Sequence, residues 1–585
     1  MKKISFVIPV LFAMSAFVIT GCSSLKSMKK NADKVNYTVA PETLETHGGK
    51  VDMGIQSQYP EGYFGKKVIL TVTPVLRHAN GETALTPYVL QGEKVKDNNK
   101  VIPFDAGGSN GYKTSVNYTK DMLRSDLELR IKATQGSKSL DFTPKAIAKG
   151  VIATSTLVDN SPLAMLGFLK KANSTGIYDP TLDKYQRIVP DAYMADLVYL
   201  INSAEVRSKE LTKSEIDHLN KYIVEAYNAD RKELKGVEVS AYASPDGTMD
   251  INSKLAGKRE GSATNVLEGN LKKSKVKADL TSKNTPEDWD GFKKLMEKST
   301  IQDKDLILRV LAMYSDPEVR EREIKNLSTA FTKVADEILP QLRRAKITAS
   351  VNLIGKTDAE ISALAASDPS KLNQAELLYA ATLTNDEAKQ KSIYTSFTKI
   401  YGDDWRGFNN LGYILVNEGD FAAAGTNFLK ADQLDPKNPI VQNNLGCVAL
   451  KNNEWSKAEI LFGAASGAGK EVKENLGILK IKQGEYDTAV KYLGEGSTSY
   501  ANRGLAQLLN GDNAGALKTL IAAPVESGRI AYFKAIAYAR TGKASQMYEA
   551  LVSAMKKDPA YKAIAQNDLE FAKYANDQNF KLLFN

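Results

Sequence analysis

The hydrophobic pattern in the first third of the chain has a period of two. Within residues 68–73, and again within 127–132, the side chains alternate so that one face is apolar. This pattern predicts β-strands. Turn dipeptides such as Asn80-Gly81 separate these runs, and Asn-Gly suits a tight hairpin because both residues tolerate positive φ. We therefore predict a β-sandwich domain over residues 37–158, immunoglobulin-like in general size.

The pattern then becomes a mixture of strand and helix periods. It predicts, in order, a strand at 197–201, a helix at 214–231, and strands at 237–242 and 346–354. This order favours an α+β domain, preceded by a connector, over residues 159–355. A helical insertion is expected between Pro286 and Pro340.

The last part of the chain repeats itself. The sequence Asn409-Asn410-Leu411-Gly412 recurs as Asn443-Asn444-Leu445-Gly446, 34 residues later. A period of 34 is that of the tetratricopeptide (TPR) helix–turn–helix unit, and the small and aromatic residues around both copies resemble its consensus. The pattern predicts an all-α TPR superhelix over residues 356–585.

Four asparagines stand two positions before the glycine of successive repeats: Asn410, Asn444, Asn475 and Asn502. If the repeats stack regularly, these side chains form a row on the inner face. A carboxamide can hydrogen-bond a peptide backbone without reading its sequence. The row resembles the asparagine ladder with which some TPR proteins hold extended peptides, which makes these residues candidate peptide-binding residues. The alternative is a polar contact within the repeats, and the fifth repeat breaks the series with Phe533.

Composition and charge narrow the class of protein. A chain of 585 residues with ordinary apolar content predicts three or four domains. The net charge of +9 is spread over the whole chain and indicates solubility rather than nucleic-acid binding. Three His and two Cys without metal-ligand spacing argue against a metal enzyme, and no cofactor motif is present. Cys447 lies in an apolar helical stretch and is expected to be core.

The chain begins like a secreted lipoprotein. Lys2-Lys3 precede an apolar run from Ile4 to Ile19, which is too short to span a membrane as a helix. The ending Ile-Thr-Gly-Cys resembles a bacterial lipoprotein signal, which implies a signal peptide at 1–21 and a lipid on Cys22. The polar residues after Cys22 predict a flexible tether at 22–36. A location at the outer membrane, facing the periplasm, is expected.

The central domain carries a motif of its own. The turn from Tyr242 to Gly247, followed by Asn252 and Arg259, resembles the core motif of the OmpA-like, peptidoglycan-binding family. In that family an Asp and an Arg bind the diaminopimelate of the wall peptide. Arg259 matches the Arg, whereas Ser244 stands at the Asp position. The resemblance implies Ser244, Asn252 and Arg259 as peptidoglycan-binding residues.

The order of these modules is similar to that of Bacteroidetes-type outer-membrane lipoproteins with an OmpA-like domain and TPR repeats. We expect a non-enzymatic, lipid-anchored scaffold whose TPR groove binds another envelope protein or an extended peptide. The alternative is a tether that links the outer membrane to peptidoglycan through the OmpA-like domain. An enzyme is disfavoured because the chain lacks a nucleophile elbow, a phosphate-binding glycine loop and a zinc motif.

Overall fold

The computed structural model describes residues 20–159, 165, 185–494 and 497–584, without the side chains of 20–23 and 328–330. Most of the predicted signal peptide, residues 1–19, therefore lies outside the described residues. The chain forms two compact units: residues 1–179 join 384–585 in one, and residues 180–383 form the other. This division differs from the predicted domains, since the β-domain and the repeats share one unit and 356–383 belong to the other.

Twelve strands build the β-rich part of the first unit. They are β1 Asn36–Ala40, β2 Leu44–His47, β3 Lys50–Tyr59, β4 Ile69–His78, β5 Gly81–Ala84, β6 Tyr88–Gly92, β7 Lys100–Ile102, β8 Gly108–Asn117, β9 Asp126–Gln135, β10 Lys138–Asp141, β11 Lys145–Lys149 and β12 Val151–Ile152. One sheet has the order β1-β3-β2-β12, with β8 also on β3. The other has the order β10-β9-β4-β6-β7, with β11 on β9 and β5 on β4.

The two sheets share a core because one face of each strand is apolar. Ile55 of the first sheet packs with Leu70 and Leu129 of the second, and all three are at most 1% exposed. The strands predicted at 68–73 and 127–132 are confirmed as parts of β4 and β9. The pairs β2–β12 and β6–β7 are parallel, so the likeness to the antiparallel immunoglobulin sandwich does not extend to the topology.

A helix, α1 Thr20–Lys30, stands where the flexible tether was predicted. Leu25 and Met28, one helical turn apart, are buried in the core of the β-domain at 3% and 1% exposure. Val35 follows them into the same core. The tether prediction is therefore wrong from Leu25 onward, because three apolar side chains among the lysines fix this segment to the sheets. No helix within the described residues has the length and apolar character that crossing a membrane requires.

The second unit contains a four-stranded sheet and the helices around it. The strands are β13 Ile188–Val198, β14 Lys232–Tyr242, β15 Leu280–Thr285 and β16 Arg344–Ile354, in the order β13-β16-β14-β15. The helices are α2 Ser208–Leu211, α3 Ser214–Asn228, α4 Met249–Lys273, α5 Trp289–Lys298, α6 Lys304–Met313, α7 Pro317–Asn326, α8 Ser328–Lys333, α9 Leu339–Leu342, α10 Asp358–Ser367 and α11 Gln374–Thr382.

Helices α3 and α4 cover one face of this sheet, where Leu219 and Leu267 pack with strand residues such as Val239. Helices α5 to α9 form a separate apolar cluster, which confirms the predicted helical insertion. The strand expected at 197–201 instead spans Ile188–Val198 and ends earlier. Because β13 is an edge strand whose first residues are exposed, its apolar pattern is incomplete and misled the prediction.

The rest of the first unit is helical: α12 Glu387–Ile400, α13 Trp405–Asn417, α14 Phe421–Leu434, α15 Pro439–Lys451, α16 Trp455–Ala464, α17 Lys470–Gln483, α18 Tyr486–Tyr492, α19 Tyr500–Leu509, α20 Asn513–Ile521, α21 Gly528–Arg540, α22 Ala544–Lys557, α23 Ala560–Ala565 and α24 Gln578–Leu582. From α13 to α22 the helices pack in consecutive pairs. The first helices of neighbouring pairs also contact one another along α15, α17, α19 and α21, so they line the inner side of the array. This arrangement confirms TPR-type helical repeats.

The glycines that recur in the first helix of each pair have a steric cause. A Cβ added at Gly446 of α15 would lie 2.6 Å from the ring of Phe462 in α16, and one at Gly504 would lie 2.5 Å from Leu520. Real Cβ atoms do not approach this closely. The two helices of a pair therefore pack at a distance that only glycine allows at these positions.

The β-domain packs directly on the repeats. Gly48, at φ +57°, sits so close to the α17–α18 turn that an added Cβ would lie 2.7 Å from the carbonyl oxygen of Gln483. Beside it, Nδ1 of His47 lies 2.8 Å from the hydroxyl of Tyr486. Gly150, at φ +60°, similarly abuts Leu569. The β-domain is thus part of the same compact unit as the repeats.

Candidate functional site

The inner helices of the repeats carry all four predicted asparagines. Asn410 lies on α13, Asn444 on α15, Asn475 on α17 and Asn502 on α19, and each is 0% exposed. The structure therefore brings them to the predicted face of the array, but inside the protein rather than on its surface. Their role in binding a partner peptide stays a prediction.

A chain of hydrogen bonds runs through these asparagines across three repeats. The Asn475 carboxamide donates to Asn443 (2.9 Å), and Asn443 donates to its neighbour Asn444 (3.2 Å). Asn444 then donates to Asn409 (2.8 Å), which donates to Asn410 (3.3 Å). Two of these bonds, Asn475 to Asn443 and Asn444 to Asn409, join neighbouring repeats, and the other two join adjacent residues of one helix. The network links α13, α15 and α17 through buried polar groups, which stabilise one relative position of the repeats.

Asn502 has a different partner: the main chain of Asp159. Its Nδ2 donates to the carbonyl oxygen of Asp159 at 2.7 Å, and its Oδ1 accepts from the amide N–H of Asp159 at 2.8 Å. Both bonds go to backbone atoms of one residue, and they hold that residue on the inner face of the repeats. This is the contact expected of an asparagine that binds extended peptide.

The side chains around Asp159 complete this contact. The carboxylate of Asp159 forms an ion pair with Arg529 of α21 at 2.5 Å. The two preceding residues, Leu157 and Val158, pack against the apolar cluster of the C-terminal repeats. Burial lowers the pKa of Arg529, but the hydrogen bond and charge of Asp159 outweigh it and hold the pKa above its ordinary value. The repeats thus contact the main chain, the charge and the apolar side chains of residues 157–159 at one place.

Cys447 lies beside the asparagine chain and is 0% exposed, which confirms its prediction as core. Asn475 donates to its sulfur at 3.2 Å. Burial raises the pKa of the thiol. A thiol that stays protonated and inaccessible is not a nucleophile.

The central unit places Arg259 in its interior rather than at a ligand site. Arg259 is 0% exposed and donates to the carbonyl oxygens of Tyr242 (2.9 Å), Ser203 (2.9 Å) and Leu200 (3.1 Å). Its guanidinium also lies 5.2 Å from the ring centre of Tyr199. Burial lowers the pKa of Arg259 to about 10. In this geometry the guanidinium has no exposed surface for a wall-peptide carboxylate, because it is buried and three of its N–H groups bind main-chain carbonyls. Its role in peptidoglycan binding stays a prediction.

Ser244 and Asn252 also have partners within the unit. Ser244 is 4% exposed, donates to Asp246 at 2.6 Å and accepts from Arg343 at 3.2 Å. Asn252 is 3% exposed and donates to the carbonyl oxygen of Gly247. The three residues that the OmpA-like resemblance implied are thus all buried and hydrogen-bonded within the unit, and a role in binding peptidoglycan stays a prediction.

Cys22 lies in α1, and its lipidation stays a prediction. Across the described ranges, no group of three His, Cys, Asp or Glu side chains is placed to hold a metal ion.

Sequence reasoning missed part of this site. Asn409 and Asn443 recur 34 residues apart beside the predicted row, so the repeat itself signalled them. Asp159 and Arg529 carried no such signal, because they are distant in sequence and neither belongs to a motif.

Comparison with known proteins adds little to this picture. No protein-family profile and no curated protein matches the chain. Part of it is similar to solved TPR structures. YrrB, "a TPR protein with an unusual peptide-binding site", matches at 20% identity, with 28% of this chain and 92% of that one covered and a TM-score of 0.25. A TPR protein from Parabacteroides merdae matches at 13% identity, with coverages of 42% and 98% and a TM-score of 0.30. PilF of Pseudomonas aeruginosa matches at 14% identity, with coverages of 38% and 100% and a TM-score of 0.29. At these scores the likeness carries no argument, and the assignment of helical repeats rests on the packing described above.

Proposed function

We propose that this protein is a non-enzymatic scaffold whose repeats bind an extended segment of another envelope protein. The observation that carries the proposal is the pair of hydrogen bonds between Asn502 and the main chain of Asp159. Such a pair recognises any extended backbone, whatever its side chains. The buried asparagine chain supports the proposal by keeping the neighbouring inner helices in one fixed arrangement.

The proposed location is the outer membrane, with the protein facing the periplasm and held by a lipid on Cys22. The lipoprotein-like start of the sequence supports this location. Leu25, three residues later, is already buried in the β-domain. A lipid at Cys22 would therefore keep the folded β-domain close to the membrane surface.

Cross-linking in intact cells followed by affinity purification tests the scaffold. The wild type is compared with Arg529→Ala and with Lys518→Ala, which removes an exposed cation from the second helix of the preceding repeat. We expect partners to be recovered with the wild type and Lys518→Ala, and recovery to fall with Arg529→Ala. Equal recovery with all three proteins would contradict binding in the groove.

Lipidation is tested separately. Cells grown with an alkyne-modified palmitate should label the wild type and not Cys22→Ser. The variant should leave the membrane fraction, since nothing else in the proposal holds it there. A labelled or membrane-bound Cys22→Ser protein would contradict the proposed anchor.

A further inference from the structure

The chain supplies its own ligand to the C-terminal repeats. A 3₁₀ turn, Thr154–Leu157, leads from the β-domain onto the inner helices α17 and α19. Its start is fixed at two points: Ser155 donates to the carbonyl oxygen of Thr46 (2.6 Å), and Thr154 donates to Glu570 (2.5 Å). The segment that follows is therefore delivered to Asn502 by the fold itself.

Three kinds of contact hold this segment, and they differ in which residues they require. Asn502 binds the main chain of Asp159 and does not discriminate between sequences. Arg529 pairs with the carboxylate and requires an acid at that position. Leu157 and Val158, packed on the apolar cluster, require apolar residues just before the acid.

The charged end of this contact is open to solvent. The side chains of Arg529 and Asp159 are 32% and 24% exposed, whereas Asn502 is 0% exposed. A competing chain can therefore exchange with the bound segment from the carboxylate end. A tethered segment competes at an effective concentration of order millimolar, so an outside peptide binds weakly while the segment is in place.

We infer that α19, α21 and the adjoining repeats form a site for peptide segments with two apolar residues followed by an acid, and that residues 157–159 occupy it in cis. This inference rests on the proposed scaffold function and names the chemistry of its partner. A partner segment of the same kind would displace residues 157–159.

Fluorescence anisotropy with a labelled peptide of residues 153–160 (ATSTLVDN) tests the site. The protein is the chain without residues 1–21. Asp159→Arg places like charges together and should release the segment, so the variant should bind the peptide at least tenfold more tightly than the wild type. Asp97→Arg, an exposed loop substitution, is the control and should bind like the wild type.

Two further measurements test the specificity. In the Asp159→Arg protein, a peptide with Ala in place of Asp should bind at least tenfold more weakly. The single variant Arg529→Asp repels the native Asp159 and releases the segment in the same way, and it should bind a peptide with Lys at that position more tightly than one with Asp. Asp159→Ala removes the charge pair without introducing repulsion, and a smaller gain in peptide binding is expected if Asp159→Arg does not fold.

Peptide binding no tighter in either Asp159 variant than in the wild type would overturn the inference, as would equal binding of the Asp and Ala peptides. The outcome is distinct from that of the scaffold test. Partners recovered from cells by a protein that does not bind the peptide would leave the scaffold standing and remove this site. Peptide binding by a protein that recovers no partner from cells would support this site and contradict the scaffold function.

Discussion

Replacing Arg259 by alanine should destabilise the central unit far more than replacing an exposed basic residue of the same helix. The side chain is 0% exposed and donates three hydrogen bonds to main-chain carbonyls. The carbonyl of Leu200 also accepts from the N–H of Ser203, so it keeps a donor in the variant. The carbonyls of Ser203 and Tyr242 each lose the hydrogen bond that Arg259 donates.

The size of the effect follows from these two carbonyls. A buried polar group left without its partner costs about 1–3 kcal/mol. Two of them, together with the space left by the side chain, give a loss of about 4 kcal/mol. For a unit of this length, residues 180–383, each kcal/mol lowers Tm by about 2–4 °C. We therefore expect the transition of this unit to fall by about 8–16 °C.

Differential scanning calorimetry measures this directly, with Lys258→Ala as the control. Lys258 is the neighbouring residue on α4 and is exposed, so its loss should shift Tm by less than about 2 °C. Arg259→Lys keeps the charge but not the fork of donors and should fall between the two. An Arg259→Ala protein as stable as the control would refute the structural role and favour a ligand-facing guanidinium again.

Three other predictions concern the first unit. Gly446→Ala should destabilise the repeats by about 1–3 kcal/mol, because its Cβ would overlap Phe462. Gly463→Ala, with open space around it, should be neutral or stabilising, and urea unfolding measures both variants. Burial raises the pKa of Asp568 to about 6, above its unfolded value near 4. The protonated carboxyl therefore contributes stability that is fully present below pH 4 and is lost as the pH rises through 6. Because asparagine stays neutral, the stability of Asp568→Asn relative to the wild type should rise by about 1–3 kcal/mol between pH 4 and pH 7. The Cys447 thiol should react with a thiol reagent only after unfolding, because it is buried and its pKa is raised.

Each of these has a clear contrary result. Equal urea midpoints for the two glycine variants would mean that the helix pair has room for a methyl group. A pH-independent difference between Asp568→Asn and the wild type would mean that this carboxyl titrates normally. Rapid labelling of native Cys447 would mean that the inner helices open easily.

The sequence was most informative where structure is local. The repeat pattern placed the inner helices and the asparagines on them correctly, since each repeat is specified by its own residues and its neighbours. It was least informative at α1, where Leu25 and Met28 are two apolar residues in a segment that otherwise reads as polar. A pattern that weak becomes a buried helix only because the sheets offer a surface for it.

The site was predictable in outline and not in its partners. The position of Asn502 followed from the repeat, but Asp159 is 343 residues away and nothing local pairs the two. Burial of the asparagine row was likewise invisible, since it arises from the packing of neighbouring repeats. The burial of Arg259 could not be predicted either, because the three carbonyls that bind it converge only in the folded unit.

The contact between His47 and Tyr486 joins residues 439 positions apart, and this separation sets an order in time. At about 5–20 residues per second, a ribosome needs roughly 20–90 s to make the stretch between them. During that interval the β-domain has already been synthesised, while its face for the repeats is uncovered. The whole central unit is made before the surface that covers this face exists. Completion of the first unit is thus tied to the end of translation, and a chain truncated before Tyr486 would leave that face permanently exposed.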